Sequence, residues 1–338
     1  MKIQIKPSKY NTGFSKKLLF ALFFFISGLS SCYSPGRLMD NKEVGTLLWV
    51  TPEHQDEAIK IAVRNTLESS SIIVAQISWS PDNSTFFQNT SWYHQLAKEH
   101  GKSFMLNIDW LENNRSKTKG GGWGFENEKV KKKFKNDIIK LVKVYEPNYL
   151  TLGIEVNYYA LISPEGYKSF IKTFNELKAQ IKESNAVIQI GLSFQLELLY
   201  GLHKDWNQIK TLQTLDAVEK NLDYLGVSTY PDLVVSNFNE SFSSMKYLDS
   251  IETTYGLPIG ISETGISSKN YSKEQRIDYV TDIYQKYHNL NMKFLIWGSI
   301  IDHPRKKLWE DEIGLIESNG IPKEEFNTWK NENLKIIK

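Results

Sequence analysis

Two glutamates stand at the ends of apolar, strand-like runs. In residues 149–159, Leu150, Leu152, Ile154 and Val156 alternate with Thr151, Gly153, Glu155 and Asn157. That period of two is the pattern of a buried strand, and it puts Glu155 and Asn157 at the strand's carboxyl end. Residues 257–265 repeat the arrangement, a short apolar run leading into Glu263 and then Thr264 and Gly265. A carboxylate beside a buried strand end is costly unless it has a partner or a task. Two such groups facing one space suit work in which one holds a proton near neutral pH and the other stays ionised, a difference that neighbours and unequal burial can set. Cleavage of a glycosidic bond needs that pair, with a proton donor for the departing oxygen and a second carboxylate for the sugar carbon. A separation of about 5 to 5.5 Å between them implies retention of configuration, and about 6.5 to 9.5 Å implies inversion.

Positioning both groups requires a scaffold that brings distant strand ends together. Besides the run carrying Glu155, strand patterns lie at residues 44–50, 72–77, 104–108, 187–192, 224–227, 258–262 and 293–297. Helical periodicity fills most of the intervals, at 53–69, 92–100, 126–145, 164–184, 215–221, 245–255 and 273–287. Eight strands separated by helix-length segments predict an α/β fold of the closed (β/α)8 TIM barrel type, in which all strand carboxyl ends meet on one face. An open doubly wound sheet carries a glycine-rich turn after its first strand, and Leu48-Trp49-Val50-Thr51-Pro52 has none. On the barrel reading Glu155 closes strand four and Glu263 strand seven.

Other polar and aromatic residues fall at the same strand ends. Trp79 follows strand two, and Asn107, Asp109 and Trp110 end strand three. Trp123 lies in the polar loop 113–124, Tyr230 follows strand six, and Trp297 ends strand eight. An indole face can stack on the apolar face of a sugar ring, and large aromatics are equally ordinary core residues. Asp109 could orient an arginine or a sugar hydroxyl.

The ordered set resembles the large clan of retaining, barrel-fold glycoside hydrolases that includes endo-β-1,4-galactanases, β-mannanases and cellulases. In that clan the acid/base glutamate ends strand four, the nucleophile ends strand seven, and a tryptophan ends strand eight. Glu155, Glu263 in Ile261-Ser262-Glu263-Thr264-Gly265 and Trp297 in Phe294-Leu295-Ile296-Trp297-Gly298 match these in order. The resemblance implies a retaining hydrolase of a β-linked glycan with no cofactor, in which Tyr230 hydrogen-bonds the nucleophile, and the long aromatic loops after strands three and five favour endo action. One position departs from the pattern. The clan usually has asparagine just before the acid/base glutamate, contacting the sugar's 2-hydroxyl, and this chain has Ile154. Either Asn157 or Asn107 serves instead, or the chain belongs to a divergent branch, or it is a non-catalytic glycan-binding protein with a degenerate hydrolase barrel.

The rest of the sequence narrows the setting. With 338 residues, 41% hydrophobic and 24% charged, the chain can bury a full core, and its formal net charge of +2 gives no footing for a nucleic-acid partner. The six histidines are scattered with no His-Glu-x-x-His arrangement, and no phosphate loop or Gly-x-Ser-x-Gly elbow is present, so no metal or cofactor is expected. Lys2, Lys6, Lys9, Lys16 and Lys17 precede an apolar run at 18–29, and Leu29-Ser30-Ser31-Cys32 follows. The run is short for a spanning helix of about 20 residues, and the pattern resembles a bacterial lipoprotein processing site. On that resemblance residues 1–31 are a signal peptide, the sole cysteine Cys32 is lipidated, residues 32–42 are a tether, and residues 43–338 form one catalytic barrel domain. The partners are then a polysaccharide or oligosaccharide and a lipid bilayer, and the place is the bacterial cell envelope, at the outer membrane or cell surface.

Overall fold

The computed structural model describes residues 42–206, 209–234 and 242–337. The expected signal peptide and tether, with Cys32, lie outside them except for Lys42. Eight strands follow the chain: β1 (Glu43–Thr46), β2 (Ile72–Ser78), β3 (Ser103–Asp109), β4 (Tyr149–Thr151), β5 (Gln189–Gln195), β6 (Tyr224–Thr229), β7 (Ile259–Thr264) and β8 (Met292–Trp297). They pair in parallel in the order β1-β8-β7-β6-β5-β4-β3-β2. A parallel bridge between Leu47 and Val74 joins the two ends, and Ser71 N donates to Val44 O at 2.8 Å beside it. The result is the (β/α)8 barrel the strand count predicts.

Alternation along each strand sorts side chains into two cores. Leu47, Ile72, Val74, Met105, Tyr149, Tyr224, Phe294 and Ile296 form a separate buried cluster inside the ring. Their strand neighbours, among them Ile73, Leu106, Leu150, Leu225 and Leu295, join the larger cluster beneath the helices. The interior is filled by rings from three strands, so their neighbours must be small. A Cβ on Gly260 would stand 2.1 Å from the Phe294 ring, and one on Gly191 would stand 2.5 Å from the Tyr224 ring. Above this layer the lining turns polar, with the Thr151 and Tyr224 hydroxyls 2.9 Å apart and those of Ser193 and Ser262 2.5 Å apart.

Helix boundaries follow the local chemistry. Pro164–Ser184 matches its expected span, with the Ser163 hydroxyl accepting from Gly166 N and proline in the first turn. Lys273–Asn289 opens with a complete capping box of Ser272 and Gln275. The expected helix at 92–100 begins earlier, at Phe86, because Phe86 and Thr90 extend its buried face. Between 213 and 221 only two short turns form, too few residues to sustain a helix after each end is capped. A terminal helix, Glu324–Ile337, was not expected. It lies against the helix Asp56–Ser69, β1 and the helix Lys273–Asn289. Arg276 Nε meets Glu325 Oε1 at 2.7 Å, and Asn333 Nδ2 donates to Ser69 O at 2.5 Å. Among the described residues no helix is long and apolar enough to cross a membrane.

Because the Phe294 ring fills the space a side chain would need, Gly260→Ala should lower stability by about 1–3 kcal/mol, an overpacking cost read by thermal or denaturant unfolding. An unchanged midpoint would mean that the interior is not packed as described.

Candidate active site

Glu155 reaches the barrel mouth through a break in its strand. Regular pairing of β4 stops at Thr151, well short of the expected run, yet Leu152 N donates to Gly191 O and Ser193 N to Gly153 O, so the chain tracks β5 as far as Gly153. At Glu155 the backbone turns left-handed, with φ 52° and ψ 44°, and the helix Val156–Ile162 begins. A glutamate in that conformation costs about 1–3 kcal/mol, so surrounding contacts must fix it. Asn157 supplies one such brace. Its amide nitrogen donates to Gln195 O at 3.0 Å and Thr211 Oγ1 at 3.1 Å, and its amide oxygen accepts from Gln195 N at 2.9 Å. The Asn157 side chain is thereby committed to joining this helix to β5 rather than to a sugar.

Glu263 is re-aimed by an irregularity. The register of β6 against β7 shifts between Val227 and Ser228, and Ser228 falls opposite Glu263. Consecutive residues Ser262 and Glu263 can therefore both turn inward, the first to Ser193 and the second to the mouth. The Ser228 hydroxyl donates to Glu155 Oε1 at 2.6 Å, and the charge of Glu155 reaches Glu263, so the two carboxylates share one mouth. Both are buried, at 6% and 5% exposure. Burial first, and then the charge of Glu155, push the Glu263 carboxyl up to about 7, against the opposing hydrogen bond from Tyr230 and the Arg115 charge. The Tyr230 phenol is in turn held well above its ordinary value by burial and by Glu263.

Two cations from the loop after β3 complete the site. Arg115 Nε donates to Glu155 Oε2 at 2.6 Å, and its Nη1 to Asp109 Oδ1 at 2.8 Å. Lys119 Nζ donates to Asp109 Oδ2 at 2.8 Å. Burial alone would push the Asp109 carboxyl up, but Arg115 and Lys119 outweigh it and hold Asp109 below its usual value. Burial lowers Lys119 despite Asp109. Of the two partners the sequence allows for Asp109, the structure supplies the arginine.

The expected aromatic contacts divide. Tyr230 bonds Glu263, and its ring meets Trp309 edge-on at 5.2 Å. Trp79, Trp110 and Trp297 lie in the outer core instead, each no more than 1% exposed. Their indole N–H groups donate to Asp137, Leu152 O and Ile313 O, and their rings pack on other aromatics. The parity of β8 explains Trp297: Phe294 and Ile296 point inward, so Trp297 points out. Trp123 is half-buried against Trp79, its N–H on Lys119 O. Asn107 sits inside the ring between Gln76 and Thr151, wholly buried, with neither amide atom partnered. Arg115, Lys119, Ser228 and Trp309 join the site without having been singled out in the sequence. Glu197 is another buried carboxyl next to it, accepting from Thr229 Oγ1 at 2.6 Å and Tyr230 N at 3.2 Å. Burial pushes Glu197 up to about 7.

The scaffold and its mouth define a (β/α)8 barrel with paired carboxylates at the ends of the fourth and seventh strands. No protein-family model matches the sequence and no curated protein matches it. Solved structures do. The chain is similar to the exo-beta-1,4-mannosidase Op5Man5 from Opitutaceae bacterium strain TAV5, with TM-score 0.65 and 13% identity over 88% of this chain and 61% of that one. It is similar to a GH5_18 from Bifidobacterium longum subsp. infantis, with TM-score 0.65 and 15% identity over 88% and 79% of the two chains. A Bacteroides uniformis beta-glucuronidase aligns with TM-score 0.57 and 12% identity over 85% of this chain and 34% of its own. This chain thus spans about three fifths of the mannosidase and a third of the glucuronidase. These likenesses show the fold, a barrel shared with glycoside hydrolases.

The Glu263 environment has a measurable consequence. The folded protein keeps this proton up to about pH 7, whereas the unfolded chain releases it near 4.5, so stability falls as pH rises through that window. Glu263→Gln removes the titration, and relative to the parent it should gain on the order of 2 kcal/mol between about pH 5 and about pH 8. Thermal unfolding of both proteins at the two pH values checks this, and a difference that does not change with pH would refute it.

Proposed function

We propose that the chain is a glycoside hydrolase that cleaves a β-linked glycan by retaining double displacement. The observation that supports this most is the placing of two buried glutamates, from the ends of β4 and β7, in one mouth, where the Ser228 hydroxyl bonds Glu155, Ser228 lies opposite Glu263 in the sheet, and the charge of Glu155 acts on Glu263. Glu155 protonates the leaving oxygen as Glu263 attacks the sugar carbon. Glu155, now ionised, then takes a proton from the water that breaks the Glu263 ester. Glu263 must be ionised to attack, so the proton that burial helps it hold up to about pH 7 has to leave it first. Part of the upward push comes from charge on Glu155, so a proton moved to Glu155 removes the repulsion and frees Glu263.

The β-linkage is supported by the mannosidase and glucuronidase among the similar structures. Endo action rests on aromatic faces around the rim: Trp49 is 43% exposed after β1, and Trp206 and Trp309 are half-buried after β5 and β8. A second reading, a non-catalytic glycan-binding protein, is favoured by Ile154 and by the Arg115 guanidinium seated on Glu155.

The test is incubation with β-galactans, β-mannans, β-glucans and their oligosaccharides. New reducing ends are expected from the parent, with Glu155→Gln and Glu263→Ala each lowering the rate by at least about a thousandfold. Glycan binding without cleavage would select the second reading.

The envelope location belongs to the same proposal and rests on the sequence of residues 1–32. Cys32→Ala should leave the protein unlipidated and move it from the detergent-soluble membrane fraction to another fraction. Unchanged fractionation and mass would refute lipidation.

A further inference from the structure

The two oxygens of Glu155 already have donors. Ser228 Oγ occupies Oε1 and Arg115 Nε occupies Oε2, each at 2.6 Å. Each oxygen keeps a second lone pair, but a proton donor must also face the glycosidic oxygen within hydrogen-bond reach, and a group bonded at 2.6 Å takes up part of that approach. The donor able to move is the one that can widen it. Ser228 lies within β6, paired on both sides, so its backbone is fixed and only a side-chain rotation moves its hydroxyl.

Arg115 is placed very differently. It sits at the tip of a small hairpin closed by the Leu111–Thr118 bridge, with Glu112 N on Lys117 O at 2.9 Å and Arg115 N on Glu112 O at 2.8 Å. Asn113, Asn114, Ser116 and Lys117 are all exposed, and only the Arg115 side chain is tucked in, at 13% exposure. Its anchors are the ion pairs to Glu155 and Asp109. If the guanidinium lifts, Asp109 keeps Lys119 on its other oxygen.

We propose that Arg115 is a built-in occupant of the glycan's seat: its guanidinium closes the empty site over Glu155 and exchanges places with the substrate. This rests on the reading of Glu155 as proton donor. Arg115 is then a positioning residue that sets how often the site is open, and the affinity of a glycan is reduced by the fraction of molecules in which the seat is taken.

The experiment uses two readouts on Arg115→Ala, with Arg115→Met in its place should the alanine variant fail to fold. In the first, methylguanidine is titrated into the parent and the variant. Saturable binding to the variant alone is expected, and no binding to the variant overturns the seat. In the second, β-1,4-mannotetraose, cellotetraose and β-1,4-galactotetraose are titrated by calorimetry into Glu263→Gln with and without the Arg115 change. Removal of Arg115 should tighten binding of the accepted tetraose by about three- to tenfold, and methylguanidine should compete with it only when Arg115 is absent. Equal or weaker binding without Arg115 overturns the exchange and makes Arg115 a direct substrate contact. Should no tetraose bind either protein, the glycan reading falls, while the methylguanidine titration still decides for or against the seat.

Discussion

Three carboxylates, Asp109, Glu155 and Glu263, are buried within one barrel mouth, and the rest of the site is arranged around that cost. Isolated buried charges are among the most expensive things a fold can contain, and they persist only when paired or neutralised. Here the solution is unequal. Asp109 has two cations, Glu155 has one and a hydroxyl, and Glu263 has a phenol and a high proton affinity. On the proposed hydrolase reading that inequality is what divides acid from nucleophile, since two carboxyls in identical surroundings would have no reason to take different roles.

The scaffold makes the inequality possible by departing from ideal strand geometry at two points. The left-handed turn at Glu155 and the register shift before Ser228 each aim a glutamate where a regular strand would not. Both departures are braced from below by fixed polar contacts, Asn157 to β5 and Ser193 to Ser262. The barrel interior beneath is rigid and aromatic, with Tyr149, Tyr224 and Phe294 edge to face, so motion in the mouth is left to the loops.

How much of this could be read from sequence follows from the range of the forces involved. Strand periodicity is local, and it located all eight strands and the two glutamates at their ends. Inside versus outside is decided by parity within each strand, and a single residue reverses it. Trp297 ends β8 as expected and yet faces the helices, and Trp110 beside the inward Asp109 does the same. Arg115 left no periodic signal, because its role comes from a hairpin tip folding back over strands far along the chain. Asn157 was visible as a polar residue near a strand end, but nothing local says that a main-chain brace to Gln195 would use up its amide. The terminal helix was missed for a related reason, since its buried face includes Glu325 and Asn333, polar residues made tolerable only by Arg276, Tyr284 and Ser69.

That helix bears on the order in which the ring can be completed. The contact between β1 and β2 is the thinnest part of the ring, one bridge beside a short first strand, and Glu324–Ile337 lies along it, tied to Ser69 on one side and Arg276 on the other. A chain made from its amino end therefore offers its first two strands long before the clasp that covers them. Until β8 pairs with β1 and the last helix arrives, the first strand exposes apolar and backbone groups with no permanent neighbour. Barrel closure in this sense waits on the eighth strand and the helix that follows it, and the interval before it is when the exposed first strands are most open to being held or degraded.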